Sequence, residues 1–283
     1  MQLHYTCTYW GQEQLAAPAF VTKVVNEGYD GIEINPPSSN EFLTAFAKEL
    51  DHTRKEKESF AFIAQQVLPP AAETADKYIK RMRERLEELA SLQPDFINSH
   101  TGKDYFSFDD NCRVIEEVMN IAERRDIPVL HETHRGRFSF HAAGILPYLD
   151  KFPEMKLAAD FSHWCTVSES LLQDQQGILQ TILPHVAHIH ARIGHEHGPQ
   201  VTDPFAPEWG LHLETHISWW KKIIAAQPKN KKSLTITPEA GPAPYMPTLP
   251  YSRQPLGDQW KINAAMKDLL RKELGNGKNN EIV

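Results

Sequence analysis

No stretch of the chain stays apolar over the ~18 residues that a membrane span requires. The opening MQLHYTCTYWGQEQ lacks the basic-then-apolar order of a secretory leader. Neither a membrane protein nor an exported precursor is expected. Cysteine is scarce: Cys7, Cys112 and Cys165 stand far apart, with no CxxC pair and no disulfide framework. Reduced thiols and a cytoplasmic location follow as expectations. Basic charge is not in excess, since 30 Lys+Arg face 37 Asp+Glu for a net charge of −7. The basic footprint of a nucleic-acid-binding protein is therefore missing from the totals. No GxGxxG follows the first apolar run, which removes the dinucleotide-binding signature of an open doubly wound sheet. What remains is a globular composition, 41% hydrophobic and 24% charged over 283 residues, with 14 histidines standing out.

Eight short β-prone runs punctuate the chain: 3–8, 31–34, 59–65, 95–100, 129–134, 156–162, 186–192 and 233–239. Helical patterns lie between them. Ile79, Met82, Leu86 and Leu89 form a stripe in 72–93. Val114, Val118 and Ile121 form another in 109–125, with Asp109 or Asp110 as the expected N-cap. Weaker helices fit 12–27, 40–52, 141–151, 167–183, 211–227 and 258–273. Strand and helix alternate throughout, which predicts a parallel sheet. Eight repeats in a chain of this length predict an α/β fold closed as a (β/α)₈ TIM barrel. One domain over 1–274 and a flexible polar tail over 275–283 are expected.

Four of the runs share an ending. VLHETH (129–134), LAADFSH (157–163), HVAHIHAR (185–192) and LTITPEAGP (234–242) each begin apolar and then reach a carboxylate or a histidine. The candidates Glu132, Asp160, His190 and Glu239 follow one another at intervals of 28, 30 and 49 residues. A strand, a helix and two loops take about 30 residues, so consecutive strands deliver one ligand atom each from the same barrel end. Three carboxylates and an imidazole suit one divalent metal ion: Mn, Mg, Co or Zn. A carboxylate at the end of an apolar strand is costly to bury without a cation or hydrogen bonds. The structural alternative is that each acid caps the following helix or pairs with an arginine.

Strand alternation adds neighbours. Glu132 and His134 share a face, as do His188, His190 and Arg192. Alternation does not choose between His188 and His190 as ligand, but His190 lies nearer the mouth. His163 follows Asp160 at the strand exit, and Arg192 could clamp a substrate oxygen or carboxylate. His100, Glu33 and Gln65 end or occupy earlier strands and could hydrogen-bond a polyol. Trp10, Trp164 and Trp209 follow strands and could wall a sugar pocket. Two loops, 194–210 and 238–252, are rich in proline and lie on the face where barrel active sites form.

From GYDGIEI (28–34) to EAGP (239–242), the chain resembles the xylose isomerase-like TIM barrels, in particular the sugar phosphate isomerase/epimerase group with its ketose 3-epimerases and inosose dehydratases. The resemblance rests on the glutamate of HETH, the Asp-x-x-His of DFSH, the HIH of the seventh strand and the final glutamate. It implies Glu132, Asp160, His190 and Glu239 as metal ligands, with His163 touching substrate beside the metal. It also implies Glu132 and Glu239 as catalytic acid and base on opposite faces of a ketose. The chain departs from the epimerases where they carry an arginine six residues past the seventh-strand histidine; here Glu196 stands, with Arg192 or His195 as replacements.

The expected activity is a metal-dependent sugar or polyol isomerase or epimerase, working by proton transfer through a metal-stabilised enediolate. His163, Arg192, His134, His100 and His188 are the expected substrate-binding residues. The expected partner is a small sugar or polyol, with no nucleic acid and no membrane, and self-association as a homo-oligomer is left open. Two alternatives are a metal-dependent phosphodiester hydrolase of endonuclease IV type, suggested by the many histidines, and a non-catalytic sugar-binding barrel.

Overall fold

The computed structural model describes residues 1–275; from residue 276 onward, the expected tail lies outside the described residues. Eight strands form a closed parallel barrel in sequence order: β1 (Gln2–Thr8), β2 (Gly31–Ile34), β3 (Ala61–Gln66), β4 (Phe96–Ser99), β5 (Val129–Glu132), β6 (Leu157–Ala159), β7 (Val186–Ala191) and β8 (Ser233–Pro238). The ring closes where Leu3 pairs with Leu234 and Tyr5 with Ile236. Helices α1 (Ala17–Asn26), α2 (Asn40–Glu56), α3 (Ala75–Ala90), α4 (Phe108–Arg125), α5 (Leu146–Lys151), α6 (Phe161–Ser168), α7 (Gln176–Ile182), α8 (Gly210–Ala225) and α9 (Gln259–Leu274) follow the strands. The chain is thus a (β/α)₈ barrel, as its alternation of periods predicts.

Departures from the sequence reading have local causes. The expected helix 167–183 is two helices. The chain enters α6 directly after Ala159, with Asp160 as N-cap, and breaks at Glu169 and Leu172, both left-handed with φ of 45° and 54°. The cap of α4 is Ser107, whose Oγ accepts from Asp110 N at 3.1 Å. Asp109 and Asp110 sit instead in the first turn, where the helix dipole favours negative charge. The stripe of α3 is buried at Met82, Leu86 and Leu89, with Ile79 half-buried beside it.

The apolar core lies outside the barrel wall, between strands and helices, in two main clusters, one centred on α1–α4 and the other on α5–α9. Inside the barrel the usual branched aliphatic layers give way, from mid-height to the mouth, to Glu33, Asn98, Glu132, His188, His190 and Thr237, all buried. Cys7, Cys112 and Cys165 are buried and free. Among the described residues no helix is long and apolar enough to cross a membrane.

Gly31 opens β2 two residues before Glu33, opposite Ala61 of β3. A Cβ on Gly31 would lie 2.5 Å from Ala61 O and 2.6 Å from Ala61 Cβ. Gly31→Ala therefore forces β2 and β3 apart. The expected loss is about 1–3 kcal/mol of stability, read as a fall in Tm of several degrees; an unchanged Tm would contradict the tight register.

Candidate metal and substrate site

The predicted residues reach the barrel mouth by different routes. Glu132 ends β5, and Glu239 follows Pro238 at the end of β8. Asp160 is held at the top of β6 because its Oδ1 caps α6, accepting from Ser162 N at 3.1 Å and from Ser162 Oγ at 2.5 Å. That leaves Oδ2 free to face inward, where it meets the Arg192 guanidinium and lies 3.5 Å from His163 Nε2. Both structural alternatives, capping and arginine pairing, thus hold for Asp160 without removing it from the site.

His190 is the centre of the arrangement. Its Nδ1 lies 2.8 Å from Glu239 Oε2 and 3.7 Å from Glu132 Oε2, and its Nε2 lies 2.9 Å from Glu33 Oε1. Potential ligand atoms of Asp160, His190 and Glu239 lie within 4.8 Å of one another, as do those of Glu132, Asp160 and His163. All four expected ligands are therefore brought to one place in two triads that share Asp160. Burial opposes the charged imidazolium of His190, but the carboxylates of Glu239, Glu33 and Glu132 outweigh it and hold the ring well above its ordinary range.

Two residues beneath the mouth complete the network. Glu33 accepts from Asn98 Nδ2 at 2.9 Å and from Thr237 Oγ1 at 2.6 Å, and it also contacts His188 Nε2 at 3.2 Å. Burial would raise this carboxylate, yet the His190 and His188 contacts hold it well below the usual range. Asn98 also donates to Glu132 Oε2 at 2.8 Å, tying the two acids together. Asn98 was not picked out in the sequence, although asparagine inside a strand, where it is disfavoured, is a signal of special use. Glu33 lies behind His190, away from the cavity, and so orients that ring rather than meeting a polyol. His188 lies in the same lower layer, between Thr235 and Glu33, off the cavity wall.

Above the acids opens a cavity of about 380 Å³, within the range of small-molecule sites. Glu132, Glu239, His100, His134, Arg192 and Gln65 line it, with Trp10 and Tyr245 on one wall. The Arg192 guanidinium joins Glu239 Oε2 at 3.0 Å and stacks 4.8 Å from the Tyr245 ring centre. His163 is fully buried behind His134, with ring centres 3.8 Å apart. Burial pushes both imidazoles well below their ordinary range, so they are neutral donors or acceptors. His100 Nδ1 accepts from Arg137 Nη2 at 3.2 Å, which places its proton on Nε2, 3.0 Å from Glu132 Oε2. Trp164 is a core residue, fully buried against Phe161. Trp209 packs on His195 and His212 in the loop after β7.

The donor set fits a divalent cation. Glu33, Glu132, Asp160 and Glu239 are buried together, opposed by Arg192 and His190. Such a surplus of desolvated acid is costly without further positive charge. His163 Nδ1 is buried without a hydrogen-bond partner, and His190 Nδ1 faces the expected ligands Glu239 and Glu132. Glu33 on His190 Nε2 is the carboxylate–histidine support that metal-bound imidazoles use.

A family model described as xylose isomerase-like TIM barrel matches residues 21–217. No curated protein matches the chain in sequence. Similar solved structures include a probable 3-DHS dehydratase involved in petrobactin synthesis from Bacillus anthracis, 17% identical over 94% of this chain and 98% of that one, with a TM-score of 0.60. A 3-keto-D-glucoside 4-epimerase from E. coli, in apo form, is 14% identical over 96% of this chain and all of that one, with a TM-score of 0.58. A xylose isomerase-like TIM barrel protein from Mycobacterium smegmatis in complex with magnesium is 12% identical over 96% of both chains, with a TM-score of 0.62. At these identities the likeness is one of fold.

Two outcomes are expected. Glu33→Gln keeps the shape but removes the charge behind His190, and divalent-metal affinity should fall about 10–100-fold by calorimetric titration, with the fold retained. Burial also pushes His131 and His216 down from 6.5 to about 4. A depressed histidine binds its proton more readily when unfolded, so stability is lost as pH falls through that window. Each group should remove up to about 1.4 kcal/mol per pH unit, seen as a fall in unfolding free energy between pH 6.5 and 4; a flat profile would contradict neutral burial.

Proposed function

The chain belongs to the xylose isomerase-like TIM barrels, and we propose that it is a metal-dependent isomerase or epimerase of a sugar or polyol, working by proton transfer beside a carbonyl. The observation that carries this reading is the convergence of Glu132, Asp160, His190 and Glu239 beneath a cavity of about 380 Å³. Mn, Mg, Co or Zn held by these four residues would polarise a substrate carbonyl and its neighbouring hydroxyl, and so acidify the C–H bond between them. A keto-glucoside epimerase among the similar structures lends support, since epimerisation next to a ketone removes such a proton.

Of the cavity-lining glutamates, Glu132 and Glu239 have unequal environments, which divides acid from base. Burial would raise Glu132, but His100 and His190 hold it well below the usual range, so it stays ionised. Glu239 is raised by burial in spite of His190 and Arg192, and it keeps a proton more readily. Glu132 is therefore assigned as acceptor and Glu239 as the group that returns a proton. Arg192 Nη1, buried without a partner on the cavity wall, is a spare donor for a developing oxyanion. Trp10 and Tyr245 exclude water from one side and offer flat faces to a sugar ring.

One observation favours phosphodiester hydrolysis as the second reading. His100, Glu132 and His134 form a further group of potential ligands within 4.8 Å, enough for an additional ion. Nicking of an abasic-site duplex discriminates between the two.

Elemental analysis of the purified chain should find about one divalent ion per chain, as one four-ligand site requires. Glu239→Gln should lose the ion and lower turnover of an active sugar by a factor of about 10²–10⁴. Full activity after verified metal removal would sink the isomerase mechanism, and two or three zinc ions would favour the hydrolase.

A further inference from the structure

Nine of the twelve arginines have a carboxylate within 4.0 Å. Of the three without one among the described residues, Arg253 is exposed, where solvent screens it. The other two, Arg135 and Arg137, are half-buried and lie within five residues of the end of β5; each touches a residue that lines the cavity rather than lining it itself. Arg137 donates from Nη1 to Gly136 O at 3.1 Å and from Nη2 to His100 Nδ1 at 3.2 Å, while its Nε is buried with no partner. Arg135 lies 5.3 Å from the centre of the Tyr245 ring, which Arg192 also flanks. His100 and Tyr245 both line the cavity. Lys103, 8% exposed and 5.5 Å from the Tyr78 ring centre, adds a third cation without an ion pair among the described residues.

Burying a guanidinium without a counter-charge is unfavourable, and elsewhere in this chain half-buried arginines have found one. Two exceptions side by side, at the edge of the one cavity the acids open into, mark a place where the counter-charge comes from outside. Arg137 and Glu132 face opposite edges of the same His100 ring. A ligand lying along that ring meets acid and metal-ligand groups at one end and guanidinium at the other. Glu13, a further carboxylate of the wall, is turned to Gly11 N at 2.9 Å.

We propose that the substrate carries a carboxylate, seated against Arg135 and Arg137, with its carbonyl and hydroxyl oxygens at the Glu132–Glu239 end: a sugar acid rather than a neutral sugar. The proposal rests on the isomerase reading for the chelated end only. The planar fork of arginine matches a carboxylate's two oxygens. A phosphate would want free backbone amides, but those of His134, Arg137 and Phe138 are taken by Ser139 Oγ, His134 O and Thr101 O.

The test is calorimetric titration of the full chain, with and without Mn²⁺, using D-gluconate, D-glucuronate, D-glucose, D-fructose and D-fructose 6-phosphate. The acids should bind about ten- to a hundredfold more tightly than the neutral sugars. Arg137→Gln and Arg135→Gln should each erase most of that preference, and Arg135→Gln, whose side chain does not touch His100, should leave neutral-sugar affinity and bound metal unchanged. Neither arginine is in an ion pair, so both variants are expected to fold, and the wild-type comparison stands without them. Neutral sugars binding as tightly as the acids, an acid preference surviving in the double variant, no binding of either acid, or preference for the phosphate ester would each overturn the carboxylate assignment. Absence of bound metal with the acid preference intact would instead sink the isomerase reading alone.

Discussion

The site depends on one constraint: four carboxylates are buried at the mouth of a barrel, and each must find positive charge or donors there. His190 meets most of that demand. Its two nitrogens touch Glu33 below and Glu239 above, so one ring joins the second, seventh and eighth strands. Asn98 and Thr237 supply the donors that Glu33 still needs, and Arg192 takes the inward oxygen of Asp160. None of these groups is well placed without the others, because an unpaired buried charge costs far more than a satisfied one returns.

Charge is arranged in depth as well as in number. In the lower layer His188 is held at both nitrogens, by Thr235 and by Glu33. The middle layer carries the possible ligands, some with nitrogen atoms left unpartnered. The rim carries Arg135 and Arg137, cations with no acid of their own among the described residues. Arg192, on the cavity wall, keeps a buried Nη1 without a partner, which leaves donor capacity for something brought in from outside.

Much of this was legible in the sequence. Eight strands were readable because apolar runs alternated with helical stripes, and the acids stood out because they ended such runs. Strand ends were less legible, since Asp160 looks like a continuation of LAAD until its capping of α6 is seen. The split of 167–183 was hidden because left-handed Glu169 and Leu172 are not residues that advertise a turn. Glu33 and Asn98 escaped a defined role because their importance lies in which residues they meet across the barrel, at sequence separations of 157 and 34. Pairing partners at such distances leave no local pattern. The two unpaired arginines of HETHRGRF were equally silent, because a sequence shows charges but not the lack of a partner.

Closure of the ring by β1 and β8 has a kinetic consequence. The strands that meet there lie more than 220 residues apart in the chain, with Gln2 beside Ser233, and such non-local pairing is slow to form. Glu239 arrives with that last strand. A chain with seven strands in place holds Glu33, Glu132 and Asp160 beneath an open seam that water can enter. Were β8 to dock last, desolvation of the acid cluster would be deferred to that step, with Arg192 and His190 already present to receive Glu239.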